Sequence, residues 1–186
     1  MRPLRSATGR RIGCIAGMLL FAASALAQVS RDEPTEASVK AAFLYKFAGY
    51  VEWPAHAAAP ESPFTIGVID DDAVASELER IVPGRTIAGH PIAVRRVARG
   101  ESLAGVRVLF AGGETPDAAA IRAAHKEGAL VVTESRSGLA MGSAINFVVS
   151  GEHVGFEVSL DGADRSGLKI SSRMLAVARR VVQKGD

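Results

Sequence analysis

Apolar positions change period along this chain, and each change marks an element. From Val39 to Pro54, Val39, Phe43, Phe47 and Tyr50/Val51 recur at helical spacing, with Leu44 and Ala48 widening the stripe. The spacing predicts a first helix capped by Thr35 or Ser38 and ended by Pro54, which biases Trp53 away from the helical region. This stretch holds the only Trp, both Tyr and two of the seven Phe residues. Its apolar face must therefore meet a core or a partner. The polar tips of Tyr45, Tyr50 and Trp53 equally suit a wet surface or an interface.

The pattern then alternates. Residues 28–36 are a polar lead-in, and residues 55–63, with three consecutive Ala and two Pro, read as a loop. Phe64–Ile69 is apolar and β-branched for one strand length, and Asp70-Asp71-Asp72 leads into a helical pattern over 73–81. Residues 86–90 read as a turn or edge segment before a strand at 92–98. The buried-strand pattern over 106–111 precedes a helix opened by Thr115-Pro116-Asp117 and stopped by Gly128. A strand at 129–133, a Gly- and Ser-rich loop at 134–143 and a hairpin joining 144–149 to 153–160 follow. After one turn and a short extended piece at 168–170, Ser171 should cap a last helix with the stripe Met174, Leu175, Ala178, Val181 and Val182. The expectation is an α/β fold: a single mixed β-sheet of about six strands with helices on both faces.

Composition matters once the leader is set aside. Arg2, Arg5, Arg10 and Arg11 precede an apolar run from Ile12 to Ala23 and an Ala25-Leu26-Ala27 cleavage pattern, so residues 1–27 read as a signal peptide and 28–186 as a single domain. Removing the leader takes four of the 22 basic residues and none of the 20 acidic ones, leaving a formal charge of −2. No basic face with interleaved aromatics remains, which argues against nucleic acid as a partner. The single cysteine, Cys14, leaves with the leader, so the exported chain can form no disulfide.

The candidate chemistry is sparse. Asp70-Asp71-Asp72 ends a strand where an α/β protein could hold Mg²⁺, but no later strand ends in a partner acid, so helix capping is the better account. Gly112-Gly113 could cradle an anion but lacks a Walker lysine or a complete G-x-G-x-x-G pattern. Ser102 sits in a partial nucleophile elbow that leads into a strand instead of a helix. His56, His90, His125 and His153 show no ligand spacing, so no metal or cofactor is expected. Arg85, Arg95, Arg96 and Arg165 could each read a carboxylate or phosphate, although lone arginines are usually solvated. The missing catalytic constellation points to a binding or regulatory protein and not to an enzyme.

Five segments together carry a family resemblance: Lys40 to Pro54, Phe64 to Val68, Gly142 to Val148, Val154 to Val158 and Gly167 to Ala178. In these the chain resembles the YfiR-like exported proteins. The resemblance implies a periplasmic α/β protein, often a homodimer, that binds the periplasmic sensor domain of an inner-membrane diguanylate cyclase. By repressing that cyclase it would control cyclic di-GMP signalling and biofilm formation. Members with cysteines use disulfides for folding and redox response. Val106 stands where such a cysteine is expected, and Ser143 where a glycine is expected. For partner binding the residues to test are Tyr45 and Trp53 in the first aromatic segment and Arg165, Lys169 and Arg173 near the C-terminus. The competing reading is a periplasmic small-molecule sensor whose pocket uses the 134–143 loop and the strand ends; a hydrolase, third, would depend on Ser102.

Overall fold

The computed structural model describes residues 33–54 and 62–183. The signal peptide expected at 1–27 and most of the loop expected at 55–63 lie outside the described residues. In chain order the elements are α1 (Glu36–Ala48), β1 (Val51–Glu52), β2 (Phe64–Ile69), α2 (Asp72–Ile81), β3 (Thr86–Ile87), β4 (His90–Arg96), β5 (Val106–Ala111) and α3 (Ala118–Lys126). They continue with β6 (Leu130–Thr133), β7 (Ile145–Ser150), β8 (His153–Ser159), α4 (Leu160–Asp164), β9 (Lys169–Ile170), α5 (Ser172–Leu175) and β10 (Arg180–Val182).

The main sheet has eight strands in the order β10-β8-β7-β6-β5-β2-β4-β3, and β1 pairs with β9 in a separate two-stranded antiparallel sheet. Strands β4, β2, β5, β6 and β7 run parallel, β8 returns antiparallel to β7, and β10 joins β8 in parallel. The α/β class and the mixed sheet stand, but the count of about six strands does not. Both added strands sit at sheet edges and are only two or three residues long. Such segments are too short to carry a periodic signal.

Two segments read as helix change assignment. α1 stops at Ala48, where the Gly49 N–H bonds the carbonyls of Lys46 and Phe47, so Val51 and Glu52 are free to pair with Ile170 and Lys169. The last helix is a single turn, and Val181 and Val182 belong to β10. The open edge of β8 offers backbone partners that two consecutive valines satisfy better as strand than as helix. α3 is capped by Asp117 and not by Thr115, the Asp117 side chain accepting from Ala119 and Ala120 N–H.

Each face of the sheet carries its own core. On one, α1 and α2 cover Ile66, Val68, Val108, Phe110, Leu130 and Val132; on the other, α3 covers Ile69, Leu109 and Val131 through Ile121 and Ala124. The aromatic stripe of α1 is mostly core: Phe47 meets Phe156 edge-on at 4.9 Å and Phe147 at 5.8 Å, and Phe43 stacks on Phe47 at 5.6 Å. Val106 is buried in the second core, so apolar packing occupies the position where a family cysteine was expected.

Candidate functional site

Chemistry-bearing side chains gather at opposite ends of the parallel strands. At the C-terminal ends, Lys40 lies one turn beyond Glu36 on α1, and burying that helix against the sheet carries the lysine inward until only 5 % of its surface is exposed. There it meets Glu134, the residue that follows β6, and also pairs with Glu36. The second oxygen of Glu134 accepts the Gly113 N–H at 2.6 Å, so the glycine pair does receive an anion, and the anion is the chain's own carboxylate. Burial pulls the Lys40 pKa down, yet the hydrogen bonds and charges of Glu134 and Glu36 outweigh it and hold the ammonium above the usual lysine value. The pair opens on a cleft of about 660 Å³ whose other walls include Glu114, Arg136, Asn146 and Glu157.

The floor of that end is fixed by the 134–143 loop and its flanks. Thr133 Oγ1 lies 2.9 Å from Ser143 Oγ and 2.8 Å from Asn146 Oδ1, all three residues buried. Ser143, the departure from the expected glycine, thus supplies a hydroxyl to an internal polar network. The aspartate run is likewise accounted for. Asp70 pairs with Arg99 at 2.6 Å, Asp71 caps α2 by accepting from Val74 N–H at 2.9 Å, and Asp72 pairs with Arg96 at 2.7 Å. Among the described residues, no group of three His, Cys, Asp or Glu is placed to hold a metal ion.

The other end of the strands is built on a bulge. Thr65 of β2 pairs with Val106 and Ile66 with Val108, which leaves Arg107 as an extra residue in β5. A bulge of this kind re-aims one side chain without breaking the strand. The Arg107 guanidinium lies 4.9 Å from the centre of the Trp53 ring, and the residue is only 8 % exposed. Its Nε has no hydrogen-bond partner among the described residues, and burial pulls its pKa below the ordinary arginine value. Arg107 lines a pocket of about 430 Å³ together with Pro54, His125, Lys126 and Arg165.

His125 is oriented through Ser166. The serine hydroxyl donates to Ala129 O at 2.7 Å, so the imidazole Nδ1, 2.9 Å from Ser166 Oγ, must be the donor in that contact. Burial and the nearby Arg165 charge hold the imidazole below its usual range, opposed only in part by the Gly142 backbone. Gly142, at φ +108°, is needed here: a Cβ at that position would stand 3.2 Å from His125 Nε2.

The five residues expected to bind a partner divide between core and surface. Trp53 is half-buried, donates its Nε1–H to Ala48 O at 3.1 Å and meets Phe64 edge-on at 5.3 Å. Tyr45 is half-buried too, with the Arg85 guanidinium 5.2 Å from its ring centre. Arg165, Lys169 and Arg173 are exposed. The fold places Arg165 in the wall of the Arg107 pocket, sets Trp53 against the Arg107 guanidinium, and places Lys169 opposite Glu52 in the small sheet. Tyr45 is engaged separately with Arg85. The sequence reading missed Lys40, Glu134 and Arg107. For Arg107 a signal was present, a lone arginine inside the apolar run Val106-Arg107-Val108-Leu109-Phe110.

Residues 37–179 match the model of the family described as YfiR/HmsC-like. Eight chains of solved structure also match. One, a conserved domain protein from Vibrio cholerae O1 biovar El Tor, superposes with a TM-score of 0.55 at 14 % identity. That alignment covers 80 % of this chain and 60 % of the other, and at such identity it shows likeness of fold. No curated protein matches the chain.

Proposed function

The chain belongs to the YfiR/HmsC-like family, and from that premise we propose that it is a periplasmic regulatory protein that binds and represses the sensor domain of an inner-membrane diguanylate cyclase. The observation that carries this reading is the family match over residues 37–179. By holding the cyclase inactive the protein would lower cyclic di-GMP and restrain biofilm formation. A protein that works by binding alone acts through its differential affinity for the partner's conformations. Driving a two-state partner from 1 % to 99 % inactive needs about 5.5 kcal/mol of such preference.

What supports the reading is that Arg165, Lys169 and Arg173 are exposed and Trp53 is half-buried, so all four retain surface for a partner. Arginine and aromatic anchors dominate many interfaces. The test is cross-linked capture from the host membrane fraction with residues 28–186 as bait, beside the doubly charge-reversed Lys169→Glu/Arg173→Glu bait. Recovery of a membrane protein bearing a cyclic-di-GMP synthesis domain, lost with the reversed bait, is expected. A folded wild-type bait that recovers no such protein would overturn the proposal. A small-molecule sensor is the second reading, favoured by the buried Arg107, whose Nε has no hydrogen-bond partner among the described residues.

A further inference from the structure

A guanidinium taken out of water needs compensation, and folded proteins supply it with carboxylates, phosphates or converging carbonyls. Arg107 has none of these among the described residues: it takes part in no salt bridge, its Nε is unbonded, and its one recognisable partner is the face of Trp53. A ring satisfies only the face of the planar group, and the in-plane Nε–H, buried without a partner among the described residues, remains to be used. The bulge places Arg107 in the wall of a pocket of about 430 Å³. Around its wall stand Lys126 and Arg165, against a single carboxylate, Glu127.

Lys126 and His125 have an ordinary reason to be there, since cations favour the last turn of a helix such as α3. Arg107 has no such reason, and Arg165, at the C-cap of the five-residue α4, has only a weak one. Arg107 lies within a central strand, and Arg165 follows α4 with its charge close enough to depress the His125 pKa. Two arginines from distant parts of the chain therefore converge on one concave space. His125, oriented by Ser166, stands in the same wall.

We propose that this pocket binds a small molecule through an oxyanion, a carboxylate or a phosphate group, with Arg107 as its anchor and Arg165 as its second cation. Trp53 backs the anchoring guanidinium. The planar fork of arginine matches both oxyanions with two parallel hydrogen bonds, and a desolvated site strengthens each of them. This proposal concerns the isolated protein and does not depend on the cyclase reading.

Trp53 is the only tryptophan in the chain, so its fluorescence reports directly on the group stacked against it. Residues 28–186 are titrated at constant ionic strength with phenyl phosphate, benzoate and, as a cation of similar size, benzylamine. A saturable change in Trp53 emission is expected with at least one of the two anions and not with benzylamine; which anion saturates first separates phosphate from carboxylate ligands. Arg107→Met, with folding checked by circular dichroism, should weaken binding by roughly tenfold or more, the scale of one charged hydrogen bond lost. If Arg107→Met does not fold, Arg165→Met takes its place with an expected weakening of about threefold or more. Absence of a saturable response to both anions, or full retention of binding in the folded variant, would overturn the proposal.

Discussion

Lys40 and Arg107 are two buried cations at opposite ends of one sheet, and their surroundings are opposite. Lys40 arrives from a helix at the C-terminal ends of the strands and finds two carboxylates, one of them held in turn by a backbone N–H. Arg107 arrives from a bulge at the N-terminal end of β5 and finds an aromatic face. The direction of each pKa records the contrast: the carboxylates carry Lys40 above its ordinary value, whereas burial alone carries Arg107 below its own. A buried charge with its partners inside the chain ties elements together; one with no charged partner among the described residues carries a desolvation cost that a ligand can offset. The first arrangement is architecture, and the second has the character of a binding site.

The contrast predicts unequal effects of the same substitution. Lys40→Met should destabilise the fold by about 3 kcal/mol in urea unfolding, because it strands Glu134 beside the core. Combining it with Glu134→Gln should recover part of that loss in a double-mutant cycle. Next in size, Gly142→Ala at the Arg107 end should cost about 1–2 kcal/mol, since φ +108° is strained for alanine and the added Cβ crowds His125. Smallest should be Arg107→Met, within about 1 kcal/mol of wild type, as loss of the cation–π contact is offset by relief of the buried charge. A loss from Arg107→Met as large as that from Lys40→Met would break the comparison.

Proton linkage sharpens the same contrast. The folded state holds the Lys40 proton more tightly than the unfolded chain, so that contribution is complete below pH 10.5 and is lost as pH rises through the higher folded value. His125 runs the other way. Its depressed folded value means the unfolded chain is protonated first, so this contribution is complete above pH 6.5 and is lost as pH falls through the folded value. Melting temperatures of wild type, Lys40→Met and His125→Gln should therefore diverge at alkaline pH for the lysine and at acid pH for the histidine. Parallel curves in either range would show that the group does not carry its assigned linkage.

Much of this was legible in the residues. The continuous apolar runs 64–69, 106–111 and 130–133 became central strands, and the caps at Thr35, Asp71 and Ser171 stand where their side chains can accept the first free N–H groups. Local chemistry decides these features, because a cap or a strand buried on both faces leaves its mark within a few residues. The edge strands were illegible for the complementary reason. Whether Val181 and Val182 extend a helix or join a sheet depends on the backbone groups that β8 exposes, some 25 residues earlier in the chain.

The site divides along the same line. Adjacent residues are enough to give the α/β class and the family of the chain, since both rest on patterns that run along the chain. It takes the folded chain to bring Lys40 to Glu134 and Gly113 to that carboxylate, and to set Arg107, at the register shift between β2 and β5, against Trp53 and in one pocket wall with Arg165. A buried charge is defined by what lies around it, and those neighbours come from segments up to about a hundred residues apart, beyond the reach of any local periodicity.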